Sequence, residues 1–303
     1  MDTIDAKLKD YYSKDKYSEL QALYGLIHKS ALASITSELE KTLQADSKCK
    51  QCINISYRWI DKIPLAKFKV PQCDFNGNSF TEKVEIGDMA IRFRRYAAQN
   101  NRGSIITSLI YDTGTIFQAK VSNIDYPSVP VVALNKHKAT STSKELVLLE
   151  KWPKFDLYKT AATKIPKIVD VNINNDDSKK AFFGVFSNIK KEWKFGEAKY
   201  GNECNMNYSS LLYGICKNRI GKNVDDDPEW KKLFTELDFV CSEYNMPHSI
   251  CNSIMEKRSI DTTYTNYLNK VQFMLSSLGL GSRRMFLAIN IDQISIEEGI
   301  DIP

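Results

Sequence analysis

Three polar side chains on two predicted strands are the strongest candidates for a chemical role in this sequence. Gln118 and Lys120 lie two residues apart in an apolar strand, TIFQAKV, so they project to the same face. Asp88 follows the flexible Gly87 where another apolar strand begins. Carboxylate and amide oxygens bind a hard cation such as Mg²⁺. A lysine beside them can orient or deprotonate a water that attacks a phosphodiester, and stabilise the developing charge. Asp88 and Gln118 are therefore the candidate metal ligands, and Lys120 the candidate catalytic lysine.

The same residues also have a purely structural interpretation. A lysine in an edge strand protects that edge from pairing with another chain. Under this interpretation Lys120 has only that protective role, and Asp88 is an ordinary turn or cap residue. The two interpretations differ in whether Asp88 and Lys120 come together in space.

Hydrophobic spacing predicts the elements that position these residues. Three- and four-residue spacings indicate helices over 17–46, with a break near His28 and a cap at Ser30 or Ser34. Alternation indicates strands at 53–60, 84–93, 104–111, 115–121, 181–186 and 285–291. An Asp-Thr-Gly turn is predicted after residue 111. Further helices are predicted at 143–150, 209–219, 228–244 and 264–278, the third of them capped by the aspartates before Pro228.

This order of elements is typical of a mixed α+β (α/β) fold with a central mixed sheet flanked by helices. We find no linker between independent halves. The sequence therefore predicts a helical N-terminal segment over 1–50, an α/β core over 51–190, and an α/β extension over 191–303 that is continuous with the core.

The GDM and FQAK segments, around Asp88 and Gln118 to Lys120, resemble the core of the PD-(D/E)XK nuclease superfamily. The resemblance is to the variant in which Gln replaces the acidic residue of the E-x-K element, so the chain departs from the standard pattern at Gln118. It implies a restriction-endonuclease-like core in which Asp88 binds metal and Lys120 is catalytic.

Some members of that superfamily add an acidic residue from a helix. The resemblance assigns this place to Glu38, with Glu40 as an alternative, and Glu85 is a further candidate acid near Asp88.

The wider layout resembles a group of uncharacterised bacterial proteins related to these nucleases, over about residues 58–230. It comprises the RWID segment from Arg58, the GD strand, QAK, a WPKF element from Trp152, and an aspartate-rich segment before Trp230. This second resemblance implies a role in phage defence.

Arginines cluster near the candidate site and suit phosphate binding through bidentate contacts. Arg92 shares a strand face with Asp88, Arg94 continues it, and Arg102 lies close by in the sequence. We therefore expect Arg92, Arg94 and Arg102 to bind nucleic acid. A solvated hairpin tip explains Arg94 equally well.

Composition limits the remaining classes of function. The 303 residues carry 42 Lys and Arg against 37 Asp and Glu, a net charge of +5 that permits a polyanionic partner without requiring one. No apolar run reaches the about 18 residues that span a bilayer, and no signal peptide is evident, so we expect a cytoplasmic protein and no membrane partner. The seven cysteines are scattered; Cys49 and Cys52 form a C-x-x-C without the second pair that a zinc site needs.

The sequence thus predicts a metal-dependent nuclease that uses Mg²⁺ or Mn²⁺ and cleaves DNA in preference to RNA. Such an enzyme needs restraint in its own cell, so we expect an activating or inhibiting protein partner or a homo-oligomeric switch. The alternative is a catalytically inactive nuclease fold that binds nucleic acid or a partner, which the uncharged Gln118 favours. A nucleic-acid-coating protein would need an extended basic groove, whereas the charges here are dispersed.

Overall fold

The computed structural model describes residues 2–12, 16–60, 64–101, 104–124, 127–176, 179–243 and 286–296. These residues form the predicted mixed α+β fold, with helices on both sides of a large mixed sheet. The helices of the described ranges are α1 (Asp2–Tyr11), α2 (Glu19–Gly25), α3 (Lys29–Ala45), α4 (Ser141–Lys151), α5 (Tyr208–Cys216) and α6 (Pro228–Glu243). None of these helices is long and apolar enough to cross a membrane.

The large sheet has eight strands within the described residues. Seven of them lie side by side in the order β1 (Lys50–Ile60), β14 (Phe286–Ile296), β6 (Met89–Asn101), β7 (Ser104–Ser122), β10 (Ala181–Ser187), β11 (Glu192–Glu197) and β12 (Met206–Asn207). The eighth, β13 (Lys222–Asn223), pairs with β7. Strands from the predicted core, 51–190, and from the predicted extension, 191–303, therefore share this sheet.

Two smaller sheets complete the strand inventory. One has the order β5 (Val84–Glu85), β2 (Leu65–Phe68), β8 (Phe155–Tyr158) and β9 (Ile168–Val171), and the other pairs β3 (Gln72–Cys73) with β4 (Ser79–Phe80). In the large sheet β7 and β10 run parallel and are joined through α4, and β14 runs parallel to β6. A parallel pair requires such a crossover, whereas β6 and β7 form an antiparallel hairpin.

The large sheet is covered on both faces. Phe117 and Phe182 lie in a hydrophobic cluster with side chains of α1, α2, α3 and α5, whereas Ile116, Phe183 and Val185 lie in a second cluster with side chains of α4, α6 and β8. Every residue of β10 is buried. Burying one such aromatic side chain contributes about 1.5–3 kcal/mol relative to leaving it exposed.

The helix predicted over 17–46 is broken near His28 as expected, into α2 and α3. Ser18 caps α2 in a capping box with Gln21. The predicted cap of α3 at Ser30 or Ser34 is wrong: the helix begins one residue after His28, which makes no side-chain cap bond.

The predicted turn between residues 111 and 115 is wrong. β7 continues through Gly114, which pairs with Arg92 of β6. A Cβ built on Gly114 would lie 2.4 Å from the Phe234 ring of α6. Glycine is thus required there for the close approach of a helix, which sequence alone does not distinguish from a turn.

The strand predicted over 84–93 is two strands in different sheets, β5 and β6. The chain crosses between them at Gly87, where a Cβ would lie 2.7 Å from the Ile116 side chain and 2.8 Å from the Phe117 carbonyl oxygen. This tight crossing places Asp88 immediately before β6.

The remaining predictions for the described residues agree with the structure. Helices α4, α5 and α6 and strands β1, β10 and β14 match predicted segments, and Asp227 caps α6 by accepting from the backbone N–H groups of Glu229 (2.9 Å) and Trp230 (3.2 Å). Strand β11 was not anticipated. The helix predicted over 264–278 lies outside the described residues.

Candidate active site

Asp88 and Gln118 come together where β6 begins and β7 ends. The Asp88 backbone N–H donates to the Phe117 carbonyl (2.8 Å), which fixes the register of the two strands. The Asp88 Oδ2 accepts from the Ala119 backbone N–H (2.8 Å) and from the Gln118 side-chain amide. Both side chains are almost completely buried. The structure therefore brings together the two residues predicted as metal ligands.

Lys120 lies on the same face of β7 as Gln118 and contacts two further acids. Its Nζ is 3.3 Å from the Glu145 Oε2 and 4.0 Å from the Glu19 Oε2. Glu145 is a buried residue of α4, and Glu19 is the first residue of α2, placed there by the Ser18 cap. We call Asp88, Gln118, Lys120, Glu145 and Glu19 the candidate cluster.

The candidate cluster contains three carboxylates but only one ammonium group. Burial raises the pKa of Asp88 well above its ordinary value of 3.8, Glu19 raises it further, and Lys120 opposes both. Burial likewise raises the pKa of Glu19. Burial on its own would lower the pKa of Lys120, but Glu145 and the other two acids outweigh it, and the pKa is raised. Lys120 is therefore a cation held among acids that its single charge does not balance.

Two buried oxygens of the candidate cluster lack a hydrogen-bond partner among the described residues: Glu145 Oε2, which lies 3.3 Å from Lys120 Nζ, and Gln118 Oε1. Gln118 Oε1 is buried and accepts no hydrogen bond, while its amide nitrogen donates to Asp88. Buried polar atoms in proteins are nearly always bonded, so an orphaned acceptor beside excess negative charge fits a bound cation. Among the described residues, however, no three His, Cys, Asp or Glu side chains are already arranged as a metal site. A cation there would draw on the amide oxygen of Gln118 together with the carboxylates.

Glu38, predicted as the helical acid, lies elsewhere. Its carboxylate pairs with Lys41 (3.2 Å) one turn along α3, and its alternative Glu40 accepts from the Ile53 backbone N–H (2.8 Å). The helical acids beside Lys120 are Glu19 and Glu145 instead.

A sequence signal for Glu145 was present. It occurs on the apolar face of the predicted helix, three and four residues before Leu148 and Leu149, where an unpartnered acid is costly. Glu19 carries no comparable signal, because an acid in the first turn of a helix is an ordinary feature.

The predicted phosphate-binding arginines are engaged by acids of the protein itself. Arg92 forms a bidentate pair with Asp112 (2.9 and 2.6 Å) and also contacts Asp238. Arg94 forms a bidentate pair with Asp292 (2.8 and 3.1 Å). These ion pairs join β6 to β7, α6 and β14. Arg102 lies outside the described residues.

No family model matches the chain, and comparisons with curated proteins and with solved structures gave no match. The interpretation of the candidate cluster rests on its own geometry and charges.

Proposed function

We propose that this protein is a metal-dependent nuclease of the PD-(D/E)XK type, which hydrolyses phosphodiester bonds of DNA in preference to RNA and serves bacterial antiviral defence in the cytoplasm. The observation that carries the proposal is the convergence of Asp88, Gln118 and Lys120 in one buried cluster with two additional acids. The structural interpretation of Lys120 as edge protection does not account for this convergence.

The strand order supports the proposal. β6 and β7 are antiparallel, α4 follows, and β10 returns parallel to β7, as the resemblance to that superfamily implies. The first strands of the core do not all pair consecutively, because β14 lies between β1 and β6.

The donor set suits Mg²⁺ or Mn²⁺. Gln118 Oε1 and the carboxylates of Asp88 and Glu145 would hold the ion, which would supply electrostatic stabilisation of a phosphoryl oxygen. Burial and the neighbouring acids raise the pKa of Asp88. A cation bound there would also offset the repulsion among these acids.

The residues of the chain have separate roles in this proposal. The Lys120 ammonium, held by Glu145 at 3.3 Å, orients the attacking water and stabilises the negative charge on the phosphate. Glu19 is partly exposed and lies 4.0 Å from the Lys120 Nζ, where it can accept a proton from that water.

A second candidate is a catalytically inactive fold that binds nucleic acid or a protein partner. It is favoured by Gln118, which is neutral where the superfamily has an acid, and by the raised pKa of Asp88, which reduces its charge. Under either function we propose restraint or activation by a protein partner or by a homo-oligomer.

Cleavage assays distinguish the two candidates. Plasmid, single-stranded DNA and RNA are incubated with the protein in Mg²⁺, Mn²⁺ or EDTA, together with Lys120→Met and Asp88→Ala. We expect metal-dependent cleavage that falls by about 10²-fold or more in both variants, the usual effect of removing a proton-transfer or charge-stabilising group. The control is Lys41→Met, which removes an exposed ion pair on α3. Cleavage that survives Lys120→Met would refute the nuclease assignment at this site.

A further inference from the structure

A groove next to the candidate cluster has two lysines in its walls that the proposed mechanism does not use. Its void is about 10 Å³, so the groove is a shallow depression in the surface. Its lining includes Ile124, Pro127, Val185, Lys190, Glu192 and Lys194. The lining thus combines apolar side chains with two lysines, a combination that suits a phosphate group resting on the surface of the depression.

The strand register connects this groove to Lys120. Lys120 of β7 is the parallel partner of Val185 of β10, which in turn is the antiparallel partner of Lys194 of β11. Partners on adjacent strands share a face of the sheet. Two strand spacings separate Lys120 from Lys194, about 10 Å. This interval is longer than the axial rise of about 3.4 Å per nucleotide, so the groove and Lys120 would contact different nucleotides of one strand.

The hairpin that carries these lysines is fixed beside the candidate cluster. The Asn188 side chain accepts from the Tyr17 backbone N–H (2.8 Å) and donates to the Tyr17 carbonyl (3.3 Å), and its backbone N–H donates to the Ser122 carbonyl (3.2 Å). Tyr17 directly precedes the Ser18 cap that places Glu19. The hairpin turn, the end of β7 and the start of α2 are thus tied together, which preorganises the groove relative to Lys120.

The charge of this hairpin is locally one-sided. Residues 187–194 contain Lys190, Lys191 and Lys194 against the single acid Glu192, and the exposed Lys16 precedes Tyr17. Glu192 Oε1 is 3.9 Å from Lys194 Nζ, at the outer limit of an ion pair. By residue count, the segment 187–194 therefore has a net formal charge of +2.

We propose that the groove between Ile124 and the β10–β11 hairpin binds a backbone phosphate of a nucleic-acid strand, with Lys190 and Lys194 as its ligands. The site would contact a different nucleotide from the phosphodiester at Lys120, so the substrate is a polynucleotide strand that continues past the point of attack, not a mononucleotide. The inference builds on the proposed function and names its substrate class.

Binding measurements test the groove separately from catalysis. Anisotropy of fluorescein-labelled oligothymidylate is followed in EDTA and in Ca²⁺ over a salt series, for the unmodified protein and for the double variant Lys190→Ala/Lys194→Ala. We expect affinity to fall roughly tenfold in the double variant, and the log–log salt slope to decrease in magnitude by about 0.7 for each lysine. Labelled thymidine monophosphate serves as the short probe, for which we expect no difference between the two proteins.

Two further variants control for net charge and for folding. Lys231→Ala/Lys232→Ala removes the same charge from exposed positions on α6, where the lysines pair with Asp225 and Glu229, and should leave the salt slope unchanged. Lys190→Arg/Lys194→Arg keeps the charges and should retain binding.

The outcomes separate this inference from the proposed function. Loss of binding in the groove variant alone supports the subsite even if the protein cleaves nothing. Equal losses in the groove and α6 variants, or no binding of oligothymidylate by the unmodified protein, would overturn it, and cleavage by the unmodified protein would still support the nuclease assignment.

Discussion

Two groups of lysines and acids lie near β7, and they differ in how completely their charges and hydrogen bonds are satisfied. The second group, which we call the lysine clamp, comprises Lys180, Lys222, Asp176 and Asp227. Lys222 contacts both aspartates, lying 3.2 Å from Asp227, and Lys180 lies 3.3 Å from Asp176. Two ammonium groups thus face two carboxylates, and both lysines also donate to the Asn174 carbonyl (3.0 and 3.3 Å).

Asp227 shows how fully the lysine clamp is bonded. Its two oxygens accept from three backbone N–H groups, those of Asn174 (2.9 Å), Glu229 and Trp230, in addition to Lys222. Burial alone would raise the pKa of Asp227, but these bonds outweigh it and the pKa is lowered. In the candidate cluster the corresponding shift is reversed, since the pKa of Asp88 is raised.

The difference shows what distinguishes a structural cluster from a candidate functional one in this chain. The lysine clamp joins the loop before β10 to β13 and α6 with balanced charge, and it offers no group for chemistry. The candidate cluster holds more acids than bases and an unpartnered Gln118 oxygen, an arrangement that lowers stability unless something else binds.

The largest expected effect comes from breaking the lysine clamp. Lys222→Met removes the ammonium group that pairs with the buried Asp227. Removing one partner of a buried pair costs about 3–5 kcal/mol. We expect a decrease of that size in the free energy of unfolding, measured by urea denaturation. Lys231→Met, whose pair with Asp225 is exposed, should change it by about 1 kcal/mol or less. Similar losses in both variants would contradict the assignment of the clamp as the structural group.

An intermediate effect is expected when pH is used to compare the two aspartates in EDTA. Asp88 has a pKa raised above its ordinary 3.8, so the folded state keeps a proton that the unfolded state releases, and stability decreases as pH rises from about that value through the folded pKa. Asp227 has a lowered pKa, so its contribution is present above 3.8 and is lost as pH falls through the folded pKa.

Asparagine substitutions should therefore act in opposite directions near neutral pH. Asp88→Asn should increase the free energy of unfolding relative to the unmodified protein, and Asp227→Asn should decrease it, by about 1.4 kcal/mol for each pKa unit removed. Urea denaturation across a pH series measures both. A change of the same sign in the two variants at neutral pH would refute the comparison.

The smallest expected effect comes from increasing the difference in charge between the candidate cluster and the lysine clamp. Gln118→Glu adds a fourth carboxylate to the candidate cluster, so we expect the stability of the protein to fall in EDTA and to recover in Mg²⁺. We expect the affinity for Mn²⁺ to rise several-fold, equivalent to about 1 kcal/mol. Isothermal titration calorimetry and thermal unfolding measure these changes. The control Gln51→Glu, at a buried glutamine that accepts from Gln293, should lose stability without recovery in Mg²⁺. Equal behaviour of the two variants would show that Gln118 does not face a cation.

Periodicity was a good guide to the sheet because the buried strands alternate or are apolar throughout. It identified β10, where every residue is buried, and it assigned Gln118 to one strand and Asp88 to the beginning of another. It was misled at Gly114 and Gly87, since each glycine permits close packing with a partner distant in sequence, Phe234 in one case and the Phe117 backbone in the other.

The candidate cluster was only half predictable for a related reason. Gln118 and Lys120 are neighbours in sequence, whereas Glu19 and Glu145 reach Lys120 from two helices whose packing no local pattern encodes. The pairing of Arg92 with Asp112 was equally hidden, because it follows from the β6–β7 register across 20 residues.

The central position of β14 has a consequence for how the molecule is made. β1 and β6 are synthesised more than 180 residues before the strand that joins them, and both remain exposed edges until residues 286–296 leave the ribosome. The Leu287 backbone N–H then donates to the Asp88 carbonyl (2.9 Å), so the strand that completes the sheet also supports the backbone of Asp88. A nascent or truncated chain that lacks this strand has two unpaired edges and an unsupported Asp88, which delays assembly of the site until residues 286–296 have been synthesised.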